Sequence, residues 1–131
     1  MRTLPRLDSL NRDFWTGGER GELRIMHCND CDGYIHPPRP VCRHCLSENV
    51  AAKAVSGRGV IDTYTINHQA WHPKMEVPFV VARIALSDAP GVIITSNIVG
   101  CAVEEVDIGD EVSVVFEHQD DVFIPLFEKV K

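Results

Sequence analysis

No apolar run in this 131-residue chain approaches the roughly 18 residues that a helix needs to span a membrane. A membrane-spanning helix is therefore excluded. Behind Arg2 and Arg6 there is no apolar stretch of the kind found in secretory leaders, so a cytoplasmic protein is expected. The chain has no Ser-centred nucleophile elbow and no glycine-rich phosphate loop. No internal repeat of fixed period is present, and the Pro37-Pro38-Arg39-Pro40 piece is too short to count as low complexity. Aromatics make up only 7% of residues, which leaves little for stacking on nucleic-acid bases. Positive charge is scarce in the second half: residues 60–131 hold four Lys/Arg (Lys74, Arg83, Lys129, Lys131) against twelve Asp/Glu, a balance of −8. Such a surface repels polyanions.

Residues 1–59 hold nine Lys/Arg and seven Asp/Glu, a balance of +2, so the front half can still meet an anionic ligand. Hydrophobic content of 44% and charged content of 24% are those of a globular protein, and the length suits one domain with a small appended module.

The cysteines carry the strongest signal. Cys28, Cys31, Cys42 and Cys45 follow the spacing C-x2-C-x10-C-x2-C. Two residues between cysteines let one tight turn aim both sulfurs at a single ion, and a hairpin brings the second pair across to complete a tetrahedron. Four thiolates suit Zn²⁺ or iron and leave no open position for water, so the site reads as structural. His27 and His44 adjoin ligand cysteines and are expected to be ordinary polar residues. Gly33 lies where the first knuckle calls for permissive backbone. Cys101 is left over and reads as a small buried hydrophobe.

Three stretches follow from local pattern. Residues 1–20 contain a short helix, capped by Asp8 or Ser9, running to about Trp15 and ended by Gly17 and Gly18. Phe14 and Trp15 on it either pack on the chain's own domain or dock on a partner. Residues 21–50 are the ribbon, with strands at Leu23–His27 and Tyr34–His36. Residues 51–131 form the third stretch. Ala51–Gly59 reads as a linker, broken at Ser56-Gly57-Arg58-Gly59. Five strands are expected after it, over Val60–Ile66, Phe79–Leu86, Val92–Ile98, Glu111–Phe116 and Phe123–Phe127, with a helical turn at Val103–Val106. The expected class is all-β: a short N-terminal helix and a rubredoxin-like zinc ribbon, then a five-stranded OB-fold barrel.

No acid, base and nucleophile set assembles. His68 and His72 flank Trp71 in a stretch containing Pro73 and Pro78, which favours a loop with surface histidines over a helical metal pair. Asp120-Asp121 reads as a solvated turn. The bare module pair, ribbon plus OB barrel, leaves nucleic-acid binding as an alternative that the charge opposes.

The ordered motifs FWTGGERGELRIMHCNDCDGYIHPPRPVCRHC, SGRGVIDTYTINH, PFVVARIAL, SNIVGC, IGDEVSVVFE and IPLFE resemble, from about residue 7 to 128, a family that joins a rubredoxin-like zinc ribbon to an OB-fold. The resemblance implies a non-catalytic accessory subunit of a thiolase-like enzyme, an aldolase or acyltransferase, with a hotdog-fold hydratase as another family partner. Its sharpest version is support of an aldolase that cleaves the side chain of steroid-CoA esters. The rival reading within the family is a stand-alone acyl-CoA-binding module. The resemblance carries the four ligand positions onto Cys28, Cys31, Cys42 and Cys45. Arg39 in PPRP and Arg58 in SGRG also match. They either meet CoA phosphates or, respectively, brace the ribbon and cap a turn. The chain departs from the family beside the fourth cysteine. Many members have Pro and Gly flanking it, where this chain has Arg43 before His44 and Leu46 after Cys45.

Overall fold

The computed structural model describes residues 4–73 and 75–130. Arg2, Lys74 and Lys131, counted among the cations above, lie outside the described residues. A short helix α1 (Arg12–Thr16) runs into a 3₁₀ turn at Gly17–Arg20. A three-stranded antiparallel sheet follows, in the order β2 (Tyr34–Ile35), β1 (Leu23–Cys28), β3 (Val50–Val55). Five more strands close a barrel: β4 (Arg58–Asn67), β5 (Phe79–Leu86), β6 (Ile93–Val99), β7 (Glu111–Gln119) and β8 (Val122–Lys129).

The barrel order is β4-β5-β6-β8-β7, with β7 returning to β4. Every neighbour pairing is antiparallel except β6 with β8, where Ile98 and Val99 lie beside Phe127 and Glu128 in parallel. A 3₁₀ turn at Val103–Glu105 sits between the third and fourth barrel strands. This is the five-stranded Greek-key barrel of the OB class. Closure leaves the barrel no free edge.

The stretch Ala51–Gly59 is not a linker. Val50–Val55 pairs along the whole of β1, from Leu23 opposite Val55 to Cys28 opposite Val50. Its Ala-Ala-Lys-Ala centre has weak strand propensity, but β1 supplies a ladder that overrides it. Only Ser56 and Gly57 separate β3 from β4. Gly57 has φ +77°, and a Cβ there would stand 2.3 Å from Val114 Cγ1, so glycine is required.

The strand β1 couples the two modules because successive side chains point to opposite faces. Leu23 and Ile25 join the large core with Ile61, Ile84, Val112 and Phe127, whereas Met26 and Cys28 join a small ribbon core with Ile35 and Cys42. The α-helix ends at Thr16 with Gly17 as its C-cap, as expected, and the chain then tightens into the 3₁₀ turn. Gly17 and Gly18 both lie within that turn, which ends at Gly21 with φ +71°. Gly18 lies where an added Cβ would meet Phe116 and Phe123, which brings the turn tight against β7 and β8. Asp8 caps the turn that precedes α1, its carboxylate accepting the backbone N–H groups of Leu10 and Asn11 at 2.8 Å each.

Candidate metal centre and its surroundings

Two matched turns build the centre. In the first, the Cys28 N–H donates to the Gly33 carbonyl (2.8 Å) and the Asp32 N–H to the Cys28 carbonyl (3.0 Å). In the second, the Cys42 N–H donates to the Ser47 carbonyl (2.8 Å) and the Leu46 N–H to the Cys42 carbonyl (2.9 Å). Each turn therefore puts the residue after its second cysteine in the left-handed region, Asp32 at φ 61° and Leu46 at φ 65°. The permissive backbone falls at Asp32, not at Gly33. Gly33 is needed for closeness instead, since a Cβ there would stand 2.9 Å from the His44 ring and 3.2 Å from Cys31 Sγ.

The four sulfurs lie within 4.8 Å of one another, with Cys28–Cys45 and Cys31–Cys42 each at 3.6 Å. A tetrahedron with metal–sulfur bonds of about 2.3 Å has edges of about 3.8 Å, so the residues fit a tetrahedral ion. All five cysteines are free, and Cys28 and Cys42 are buried while Cys31 and Cys45 reach the surface. The thiols pull apart in acidity. Backbone N–H groups of Cys45 and His44 hold Cys42 down at about 6. Cys45 is pushed up to about 12. Four thiolates at this spacing repel one another, and a divalent cation removes that conflict.

An outer ring of polar contacts fixes the turns. Ser47 donates its hydroxyl to the Asp30 carboxylate, whose other oxygen accepts from Asn49 at 3.3 Å. These contacts lower the Asp30 carboxyl, the bond from Ser47 most of all. His27 Nε2 lies 3.4 Å from the Asp32 carboxylate, and His44 donates its backbone N–H to Cys42 Sγ at 3.4 Å. Neither histidine is in the sulfur cluster.

Beside the second turn lies an open cleft of about 430 Å³ lined by Ile35, His36, Pro37, Arg39, Pro40, Val41, Cys42, Arg43 and Leu46. His36 Nδ1 is buried without a hydrogen-bond partner, and burial holds its ring below the ordinary imidazole value. Sequence reasoning missed this cleft. Its only signals were the proline run and the unusual Arg43 and Leu46.

The remaining expected residues are dispersed. Arg39 is exposed on the cleft rim, and Arg58 is exposed at the start of β4, where its backbone N–H donates to Ser56 Oγ at 3.2 Å. Of the two roles open to Phe14, its burial favours packing on the chain's own domain: it is only 7% exposed and sits in the main core against Trp15 and His36 with ring centroids 4.9 Å away. Trp15 is half-buried against that core. His68 and His72 are exposed in the loop between β4 and β5, outside any metal-binding group among the described residues. Asp120 and Asp121 make the two-residue turn joining β7 to β8. Cys101 is half-buried against the core, and its thiol is raised by burial and by the nearby Glu105 carboxylate. No helix among the described residues is long and apolar enough to cross a membrane.

A four-cysteine ribbon sharing one strand with the core of an OB barrel defines the class: a zinc-ribbon/OB-fold protein. Residues 15–51 match the ChsH2 rubredoxin-like zinc ribbon domain and residues 52–117 match the ChsH2 C-terminal OB-fold domain. The chain belongs to this ChsH2, or DUF35, family. It is 35% identical over 102 residues to a DUF35 domain-containing scaffold protein of Methanocaldococcus jannaschii, covering 75% of this chain and 70% of that one. It is 32% identical over 109 residues to a probable enoyl-CoA hydratase alpha subunit of Thermomonospora curvata, covering 83% of this chain. The chain spans only 34% of that subunit's length. Among solved structures, it superposes with a TM-score of 0.85 and 28% identity on a chain of an Ltp2-ChsH2(DUF35) aldolase, covering 96% of this chain and 98% of that one.

Proposed function

We propose that this chain is a non-catalytic accessory subunit of an acyl-CoA-processing complex, docked on a thiolase-like enzyme. The sharpest version is support of an aldolase that cleaves steroid side-chain CoA esters. One observation carries the reading: nearly the whole chain superposes on a chain of the Ltp2-ChsH2(DUF35) aldolase. The scaffold name of the archaeal relative points the same way. So does the metal centre, because a closed thiolate shell offers no Lewis-acid vacancy.

The ion proposed for the four cysteines is Zn²⁺, bound structurally, with iron as the competitor that metal analysis separates. It would hold together a ribbon whose own core is too small to fold alone. Arg39 and Arg58 are the proposed contacts for CoA phosphates, and both guanidinium groups are exposed where a ligand shared with a partner can reach them. Trp15 is the aromatic proposed for the partner face. Residues 1–20, 21–50 and 51–131 are proposed as helix, ribbon and OB units, with the strand Val50–Val55 bridging the last two.

The test is gentle affinity capture of the tagged chain from its native host, followed by mass spectrometry. A thiolase-like or hydratase subunit at stoichiometric yield is expected. Recovery of the chain alone, with tightly held acyl-CoA, would make a stand-alone binding module the better reading. Salt-sensitive recovery of nucleic acid would favour the nucleic-acid-binding alternative.

A further inference from the structure

We propose that the wall formed by the second knuckle, Val41 to Leu46, selects this chain's own enzyme partner by receiving an acidic, apolar-tipped segment of that partner at Arg43 and Leu46. The inference rests on the accessory-subunit reading and deepens it by naming the specificity residues.

Leu46 is the first observation. It holds φ 65°, a conformation that suits glycine, and its side chain is 76% exposed. A branched apolar residue there does nothing for the chain's own core and opposes its own backbone. Residues kept against local preference mark surfaces used for something else. Arg43 is the second. It is exposed, and no ion pair answers it among the described residues. Two carboxylates of the first knuckle are already engaged, Asp30 with Ser47 and Asn49 and Asp32 with His27. The cleft between Arg43 and Leu46 is the third. Ile35, Pro37, Pro40 and Val41 supply an apolar lining, and no acid lines it.

Charge fixes the occupant's chemistry. Residues 60–131 carry −8 and repel an acidic segment; the ribbon, residues 21–50, balances three arginines against four Asp/Glu, but the cleft itself is lined by Arg39 and Arg43 and by no acid, so it is there that such a segment is attracted. An apolar side chain of that segment fills the cleft, and its flanking carboxylate meets the Arg43 guanidinium.

The experiment uses the full chain and the thiolase-like subunit recovered in the capture above, purified and titrated calorimetrically against wild type, Leu46→Gly and Arg43→Glu. Leu46→Gly is expected to bind about tenfold more weakly while its metal content is unchanged and its Tm is equal or higher, the signature of a docking side chain that is locally strained. Arg43→Glu is expected to bind still more weakly, and its affinity should respond less to salt than that of wild type. Wild-type affinity in Leu46→Gly would overturn the inference and leave the accessory role standing. A parallel fall in affinity, Tm and metal content would assign Leu46 a structural role and overturn it too. Absence of any binding by wild type would remove the accessory reading, and this inference with it.

Discussion

The ribbon and the barrel hold their shapes by different means. The barrel closes five strands on one another and buries a continuous apolar core around Ile61, Ile84, Val112 and Phe127. The ribbon has one full-length strand pair, a two-residue third strand and a core of Met26, Cys28, Ile35 and Cys42, two of which are metal-ligand positions. Hydrophobic burial suffices for the first, and a cross-link is needed for the second. The two are not independent, because Leu23 and Ile25 of β1 are buried in the barrel's own cluster. The contrast teaches where metal loss stops: at the knuckles and β2, while β1 stays pinned by the barrel.

The largest effect that sharpens this contrast is metal removal. Chelation, or the double change Cys28→Ser and Cys42→Ser, should withdraw binding energy of about 10 kcal/mol or more from the ribbon. Hydrogen exchange is expected to rise across residues 29–49 while β5, β7 and β8 remain protected. Loss of protection throughout would break the distinction between the two regions.

Next in size is Phe14→Ala. Removing a buried phenylalanine costs about 3 kcal/mol or more, and Phe14 joins the N-terminal segment to the main core. Denaturant unfolding should show that loss with metal content unchanged. A change within about 0.5 kcal/mol, the scale of a surface substitution, would mean the aromatic is not a core residue.

The smallest effect is Leu46→Gly, and it has the opposite sign. Relief of a left-handed backbone returns about 1–2 kcal/mol. Greater freedom of glycine in the unfolded chain takes back about 0.5–1 kcal/mol. A net gain between zero and about 1.5 kcal/mol is expected, read as an unchanged or slightly raised Tm. A fall would show that the exposed side chain supports the ribbon after all.

Much of this was legible in the sequence because it rests on local chemistry. The cysteine spacing placed the sulfurs, and β-branched runs placed all five barrel strands, with Phe79–Leu86 matching end to end. The 3₁₀ turn at Val103–Glu105 fell within the helical turn expected at Val103–Val106. What escaped depends on contacts distant in sequence. Val50–Val55 looks like a linker until β1 lies beside it. Phe14 is ambiguous until His36, 22 positions on, is packed against its ring. The cleft at the second knuckle exists only once the proline run has folded back on Cys42, so no single motif announces it.

As an accessory subunit, this chain would support chemistry that it does not itself perform. The most direct test is turnover of a steroid side-chain CoA ester by the purified chain, by the purified thiolase-like subunit, and by the two reconstituted together. No turnover is expected from the chain alone, and the pair is expected to turn over well above the rate of the enzyme subunit alone. Turnover by the chain in isolation, or an enzyme subunit equally active without it, would contradict the account.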